Sequence, residues 1–241
     1  DPFSALVPEG ALADYERGQA LARSRSGILL IKDHGIAYAL AVGEGSPAAA
    51  AGIERGDVIA TLAGVDTRSE PIWKLQRRLA GEPGETLTAR IVRQGEPSEK
   101  TLTLASYTAP APRLEEERGV PILHLARIEK GDAALVRALV EPLGAKGASK
   151  LLIDLQAVGG GDAEEAFAIA ALFAQGELGR LESKGERVCE FPSEAAPIWK
   201  GELALAVDGG TFGAGEIVAA VLEKRAGAKT VGLKTFGWAG E

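Results

Sequence analysis

Cysteine occurs once in the 241 residues, as Cys189, so neither an intrachain disulfide nor a cysteine-based metal cluster can form. Its neighbour Glu190 disfavours the thiolate, which makes a reactive cysteine a poor expectation. Methionine is absent and aromatic residues are only 5% of the chain. No apolar run approaches the roughly 18 residues needed to cross a bilayer as a helix, so no direct membrane span is expected. A basic excess is missing too. The 27 Lys and Arg face 34 Asp and Glu, for a net charge of -7, and the interspersed signs argue against a nucleic-acid partner. His34 and His124 stand far apart without metal-ligand spacing. They read as ordinary surface or edge histidines, with no metal and no cofactor expected. What is present in quantity is apolar side chain, 46% of the residues, enough for real cores in one large domain or two ordinary ones.

The pattern changes near the middle. Residues 106–119, "SYTAPAPRLEEERG", carry turn-prone and charged clusters without apolar periodicity and read as a linker over 107–118. Before it, strand-like runs at 36–42, 57–62, 86–93 and 100–105 alternate with turn signals, defining a small β-rich domain over 27–106 behind an N-terminal segment, 1–26. Two short helices interrupt them. In "SPAAAAG", Ser46 caps, Pro47 suits the first helical position and Gly52 suits the exit; in "EPIWKLQRRLAG", Ile72, Leu75 and Leu79 share a face. After the linker, strands at 120–127, 150–155, 202–208 and 229–233 alternate with helices near 131–145, 162–174 and 214–226. Leu135, Leu139 and Leu143 recur at four-residue spacing in the first helix; Ala163, Phe167, Ala170 and Ala174 share one stripe of the second. This half, 119–241, is expected to be α/β with parallel strands. The "VGGGD" stretch lacks the lysine and hydroxyl of a phosphate loop and reads as a tight turn into a helix.

"GEGSPAAAAGIERGDVIATLAGVDT" resembles a PDZ domain of the bacterial type. "LLIDLQAVGGGDAEEAFAIAALF" and "VDGGTFGAGEIVAAVLEKRAGAKTVGLKTFG" resemble the core of carboxyl-terminal processing proteases, which join a PDZ domain to an α/β protease domain in this order. "DPFSALV" resembles the stretch that precedes their PDZ domain. The resemblance covers nearly the whole chain and implies an α+β, α/β protein: a β-rich PDZ domain, then a ClpP/crotonase-like α/β domain, truncated at its C-terminal end. It implies a bacterial periplasmic or cell-envelope location, and it leaves a homo-oligomer open.

Those proteases use a serine–lysine dyad, in which a lysine of depressed pKa takes the serine proton. The serine position of their "SASASE"-like turn matches Gly213 of "TFGAGE". The lysine position after "TFG" matches Trp238, whose indole N–H donates but cannot accept a proton at ordinary pH. Where the family reads like "DLRGNPGG", this chain has "DLQAVGGG", retaining Asp154, Leu155, Gly160 and Gly161 in an oxyanion-like turn but with Gln156 and Val158 for arginine and asparagine. The resemblance thus implies a non-catalytic homologue that holds polypeptide C-termini or unfolded protein segments. The alternative is an active serine-type endopeptidase with a relocated nucleophile, Thr211 being the nearest hydroxyl; a third is a purely structural role. Lys234, four residues before the lysine position, reads as a solvated structural residue. In PDZ domains a glycine-rich loop after a strand offers N–H groups to a peptide's terminal carboxylate; the matching residues are Gly27, Ile28, Leu29 and Leu30, with Leu29 in place of a second glycine.

Overall fold

A computed structural model describes residues 6–183 and 186–237. The chain divides into two units, Asp1–Ala109 and Pro110–Glu241.

The first unit is built from antiparallel hairpins closed by two-residue turns. Strand β1 (Ile28–Asp33) meets β2 (Ile36–Val42), β3 (Val58–Leu62) meets β4 (Val65–Asp66), and β5 (Thr86–Arg93) meets β6 (Glu96–Thr103). The connecting pairs are His34–Gly35, Ala63–Gly64 and Gln94–Gly95, each with both φ angles positive, from 47° to 89°. Such turns match the right-handed twist of the flanking strands, and glycine takes the second position without steric cost. The sheet runs in the order β1-β2-β3-β5-β6, with β4 beside β3. Helix α2 (Pro47–Ala50) is capped as the sequence suggests, Ser46 Oγ accepting the Ala49 N–H at 3.2 Å. Helix α3 (Ile72–Leu79) buries Ile72, Leu75 and Leu79 in a core with Leu30, Ala39 and Ile91.

The segment before residue 27 is not featureless. Residues Leu12–Ser26 form helix α1, whose buried positions are Gly18, Ala22 and Ser26. Its packing partner is α3: Arg77 Nε donates to Asp14 Oδ1 at 2.8 Å and Gln19 Nε2 donates to Gln76 Oε1 at 3.0 Å, while Arg17 pairs with Glu82 just beyond α3.

In the second unit the sheet order is β13-β12-β9-β8-β7, with β7 Arg113–Glu117, β8 Val120–His124, β9 Lys150–Asp154, β12 Glu202–Val207 and β13 Lys229–Gly232. The pairs β8–β9, β9–β12 and β12–β13 are parallel. Strand β7 corrects the expected linker. Residues 113–117 pair antiparallel with β8 around an Arg118–Gly119 turn of the same positive-φ kind, and Tyr107 N–H donates to Ser24 O at 2.8 Å inside the first unit. Charged side chains hid this strand because it lies at the sheet edge, where Glu115, Glu116 and Glu117 stay exposed. Helices α4 (Asp132–Ala145), α5 (Ala163–Ala171) and α6 (Ala214–Ala226) complete the layer, and β10 (Gly176–Ser183) with β11 (Glu186–Ser193) forms a separate hairpin. On α4 the buried stripe is Val136, Val140 and Leu143, whereas Leu135 is 46% exposed. The four-residue spacing expected from the leucines drifts off the face that a 3.6-residue period keeps inward. The α5 stripe is buried as read, and Phe167 stacks on Phe191 of the hairpin at 4.1 Å.

Candidate functional site: a closed turn at the parallel strand ends

Two turns follow the C-terminal ends of neighbouring parallel strands, the usual place for ligands in open α/β sheets. After β9 come residues 155–161; after β12 come 208–213, leading into α6. They are zipped together. Phe212 N–H donates to Val158 O at 2.9 Å and Gly160 N–H donates to Phe212 O at 3.1 Å. Asp208 organises both turns through one oxygen: Oδ1 accepts N–H bonds from Gly210 (2.8 Å), Thr211 (3.1 Å) and, across the gap, Ala157 (3.0 Å). Ala157 needs that support, since its φ is 57° and its Cβ makes the left-handed region costly.

Gly213 is the N-cap of α6 with φ 56° and ψ -117°, and it offers no side chain to cap the helix. A Cβ added there would lie 3.2 Å from Gly160 Cα. The turn between strand and helix is thus buried and bare at its apex, in a backbone conformation that suits glycine. Of the two glycines in the oxyanion-like turn, Gly160 has its N–H engaged by Phe212. Gly161, at φ 127°, packs with its backbone against Ile128, where an added Cβ would be 2.4 Å from Ile128 O. Val158 is fully buried in the core of the unit, so an apolar side chain occupies the position where the resemblance places asparagine.

Thr211 is fully buried and fully used. Its hydroxyl donates to Leu155 O at 2.8 Å and accepts the Asp208 N–H at 2.9 Å. Trp238 lies outside the described residues. The chain just before it is tied to the Gly213 turn. Phe236 N–H donates to Thr211 O at 3.1 Å, Phe236 packs edge-on against Phe212 at 5.7 Å, and Gly237 N–H donates to Glu216 Oε1 at 2.6 Å. Lys234 is exposed.

Two contributors escaped the sequence reading. Glu216 is a 6% exposed carboxylate on an otherwise apolar helix face, and its isolation among "AGEIVAAVL" was the signal for a tethering role. His124, expected to be an ordinary edge residue, is held by Asp154 at the strand ends, with Nδ1 3.0 Å from Asp154 Oδ2 and Nε2 3.5 Å from Glu115 Oε2. Among the described residues no group of three or more His, Cys, Asp and Glu side chains is arranged to hold a metal.

In the first unit, Gly27 is the left-handed C-cap of α1 and leads directly into β1, so the residues matched to the PDZ loop follow a helix rather than a strand. Gly27 N–H donates to Arg23 O at 2.7 Å and Ile28 N–H donates to Ser26 Oγ at 3.1 Å. Two of the four N–H groups assigned to carboxylate capture are thereby engaged internally. An added Cβ on Gly27 would be 2.0 Å from Ser46 Cβ, so glycine is required here by close packing as well as by φ. Strand β1 is the last strand on its side of the sheet.

The peptidase family S41 model matches residues 119–240, and a PDZ model matches 38–93. The chain belongs to peptidase family S41, with a PDZ domain preceding the peptidase-like region. It is 27% identical over 201 residues to a carboxyl-terminal-processing protease of Picosynechococcus, covering 80% of this chain and 48% of that one. It is 28% identical over 211 residues to the Synechocystis protein of the same name, covering 80% and 47%. The chain therefore spans about half the length of these curated relatives. Its fold matches a photosystem II D1 C-terminal processing protease with a TM-score of 0.85 at 22% identity, over 99% of this chain and 67% of the other. Among the described residues no helix is long and apolar enough to cross a membrane.

Proposed function

We propose that this chain is a non-catalytic S41 homologue that binds extended polypeptide. The observation that carries the reading is the apex of the α6 turn: the nucleophile position is Gly213, and the adjoining oxyanion-like turn spends its Gly160 N–H on Phe212 O. An attacking oxygen and a free, aimed N–H pair are both requirements of acyl transfer. Thr211 supplies no substitute, because its hydroxyl proton is committed to Leu155 O. Polypeptide binding is supported by the PDZ match and by the unpaired outer side of β1, along which an extended segment adds as a further strand. With Gly27 and Ile28 N–H engaged, strand pairing rather than carboxylate capture supplies most of the affinity. Unfolded segments and protein C-termini are both ligands on this reading, and the family relationship favours the bacterial cell envelope as the place of action.

One experiment addresses both parts. The chain is mixed with a fluorescently labelled unfolded protein, and capture is followed by anisotropy while cleavage is followed on gels. Saturable capture without cleavage is expected, and a Thr211→Ala variant gives the same null in cleavage. Cleavage that disappears with Thr211→Ala restores the relocated nucleophile; absence of capture removes the binding role.

A further inference from the structure

A second concavity lies on the first unit, on strands other than β1. Side chains alternate across a pleated sheet. On β2, β3 and β5 the side chains of Ala37, Ile59 and Ile91 belong to the core, while Ile36, Val58 and Ala60, with Asp66, Arg68 and Arg90, border a cavity of about 510 Å³ on the sheet. That volume falls within the roughly 300–1,000 Å³ typical of small-ligand sites. A shift in the β3–β5 register between Ile59 and Thr61 bends the strand here, which is how an open sheet face acquires depth.

The rim of this cavity carries charge from two arginines. Arg68 and Arg90 are exposed, and neither guanidinium has a hydrogen-bond or ion-pair partner among the described residues. One carboxylate, Asp66, also lines the cavity, and its Oδ1 accepts the Arg68 N–H at 2.8 Å, so the two arginines outnumber the acid. Arg68 and Arg90 thus bring two uncompensated guanidinium groups to the border of one largely apolar cavity. An apolar floor with two planar donor forks at its edge is complementary to an apolar chain ending in a carboxylate, which arginine binds bidentately.

We propose that this cavity binds a small anionic amphiphile, a carboxylate carried on a short apolar chain. The chain lies over Val58 and Ala60 and the head group sits between Arg68 and Arg90. The site is separate from β1 and does not rest on the polypeptide-binding reading.

Calorimetric titration of the intact 241-residue chain with decanoate tests it, with decanol, decyltrimethylammonium and a peptide with an apolar free C-terminus as comparators. Decanoate is expected to saturate a single site, with decanol and the cation at least tenfold weaker and the peptide without effect on the decanoate isotherm. The Arg68→Gln/Arg90→Gln variant is expected to weaken decanoate about tenfold with an unchanged melting temperature, and about 0.5 M salt to weaken it in the parent chain, since exposed pairs are screened. Ala60→Phe is expected to fill the cavity and abolish binding; should that variant not fold, the arginine variant decides alone. The proposal is overturned by unsaturable decanoate binding, by equal affinity for decanol or the cation, by indifference to the arginine substitutions, or by competition from the peptide for the same site.

Discussion

Asp57 shows how one residue ties a turn to a sheet. It is 1% exposed, and its carboxylate receives Arg93 Nε at 2.7 Å, Arg93 Nη2 at 2.8 Å and the Glu54 N–H at 2.8 Å. Burial pushes the carboxyl up, but the hydrogen bonds from Arg93 and Glu54 and the charges of Arg93 and Lys100 outweigh it and leave it below the ordinary range. A carboxylate depressed in the folded state contributes stability that is present above its unfolded pKa, near 3.9, and is lost as pH falls through the lower folded value. Urea denaturation between about pH 7 and pH 3 is therefore expected to show stability falling below roughly pH 4. Asp57→Asn is expected to cost about 2 kcal/mol at neutral pH, below the roughly 3–5 kcal/mol of a fully buried broken pair because Arg93 is 36% exposed, and to flatten the acid limb. An unchanged limb in the variant would assign acid sensitivity to other carboxylates. The ion pair of this turn was not legible in the sequence, because Arg93 is 36 positions further along the chain.

Elements whose signal is local could be read from sequence, and those whose signal is a contact could not. The Ser46 cap and the α5 stripe are local. Helix α1 escaped because the face it buries is Gly18, Ala22 and Ser26, small residues chosen for close approach rather than for hydrophobicity. Gly18 sits where an added Cβ would be 3.0 Å from Arg77 N and 3.3 Å from Arg77 Cα, backbone atoms that cannot swing aside. Gly18→Leu is expected to push α1 off α3 at a cost of about 1–3 kcal/mol, typical of overpacking. Hydrogen exchange should then show faster exchange across 12–26 while β2, β3 and β5 keep their protection. If the α1 amides remain protected in the variant, the close approach at Gly18 does not hold the helix in place.

Across the second unit, the candidate site was half legible. The resemblance of "TFGAGE" and "TFG" matches Gly213 and Trp238 to the dyad positions, since that information is carried by sequence order. The closure of the turns was invisible, because it depends on Asp208 reaching Ala157, 51 residues away, and on Gly160 donating to Phe212, 52 residues away by number. On the proposed non-catalytic reading, the distinction sets what catalysis would require. If only two side chains were missing, Gly213→Ser with Trp238→Lys would suffice. A serine Cβ at 213 would meet Gly160 Cα at 3.2 Å, an approach the neighbouring turn has to yield to, and the engaged Gly160 N–H would leave a developing oxyanion short of a donor. Loss of one such donor costs about 10²–10³ in rate. The two-residue variant is therefore expected to hydrolyse an unfolded substrate about 10²-fold more slowly than a four-residue variant that also carries Ala157→Gly and Val158→Asn, which relax the left-handed strain and return a polar side chain to the turn. Initial-rate measurements on both, with melting curves to show that each is folded, decide the matter. Equal and substantial rates would mean that the turn was never closed to chemistry and that two side chains alone separate this chain from activity.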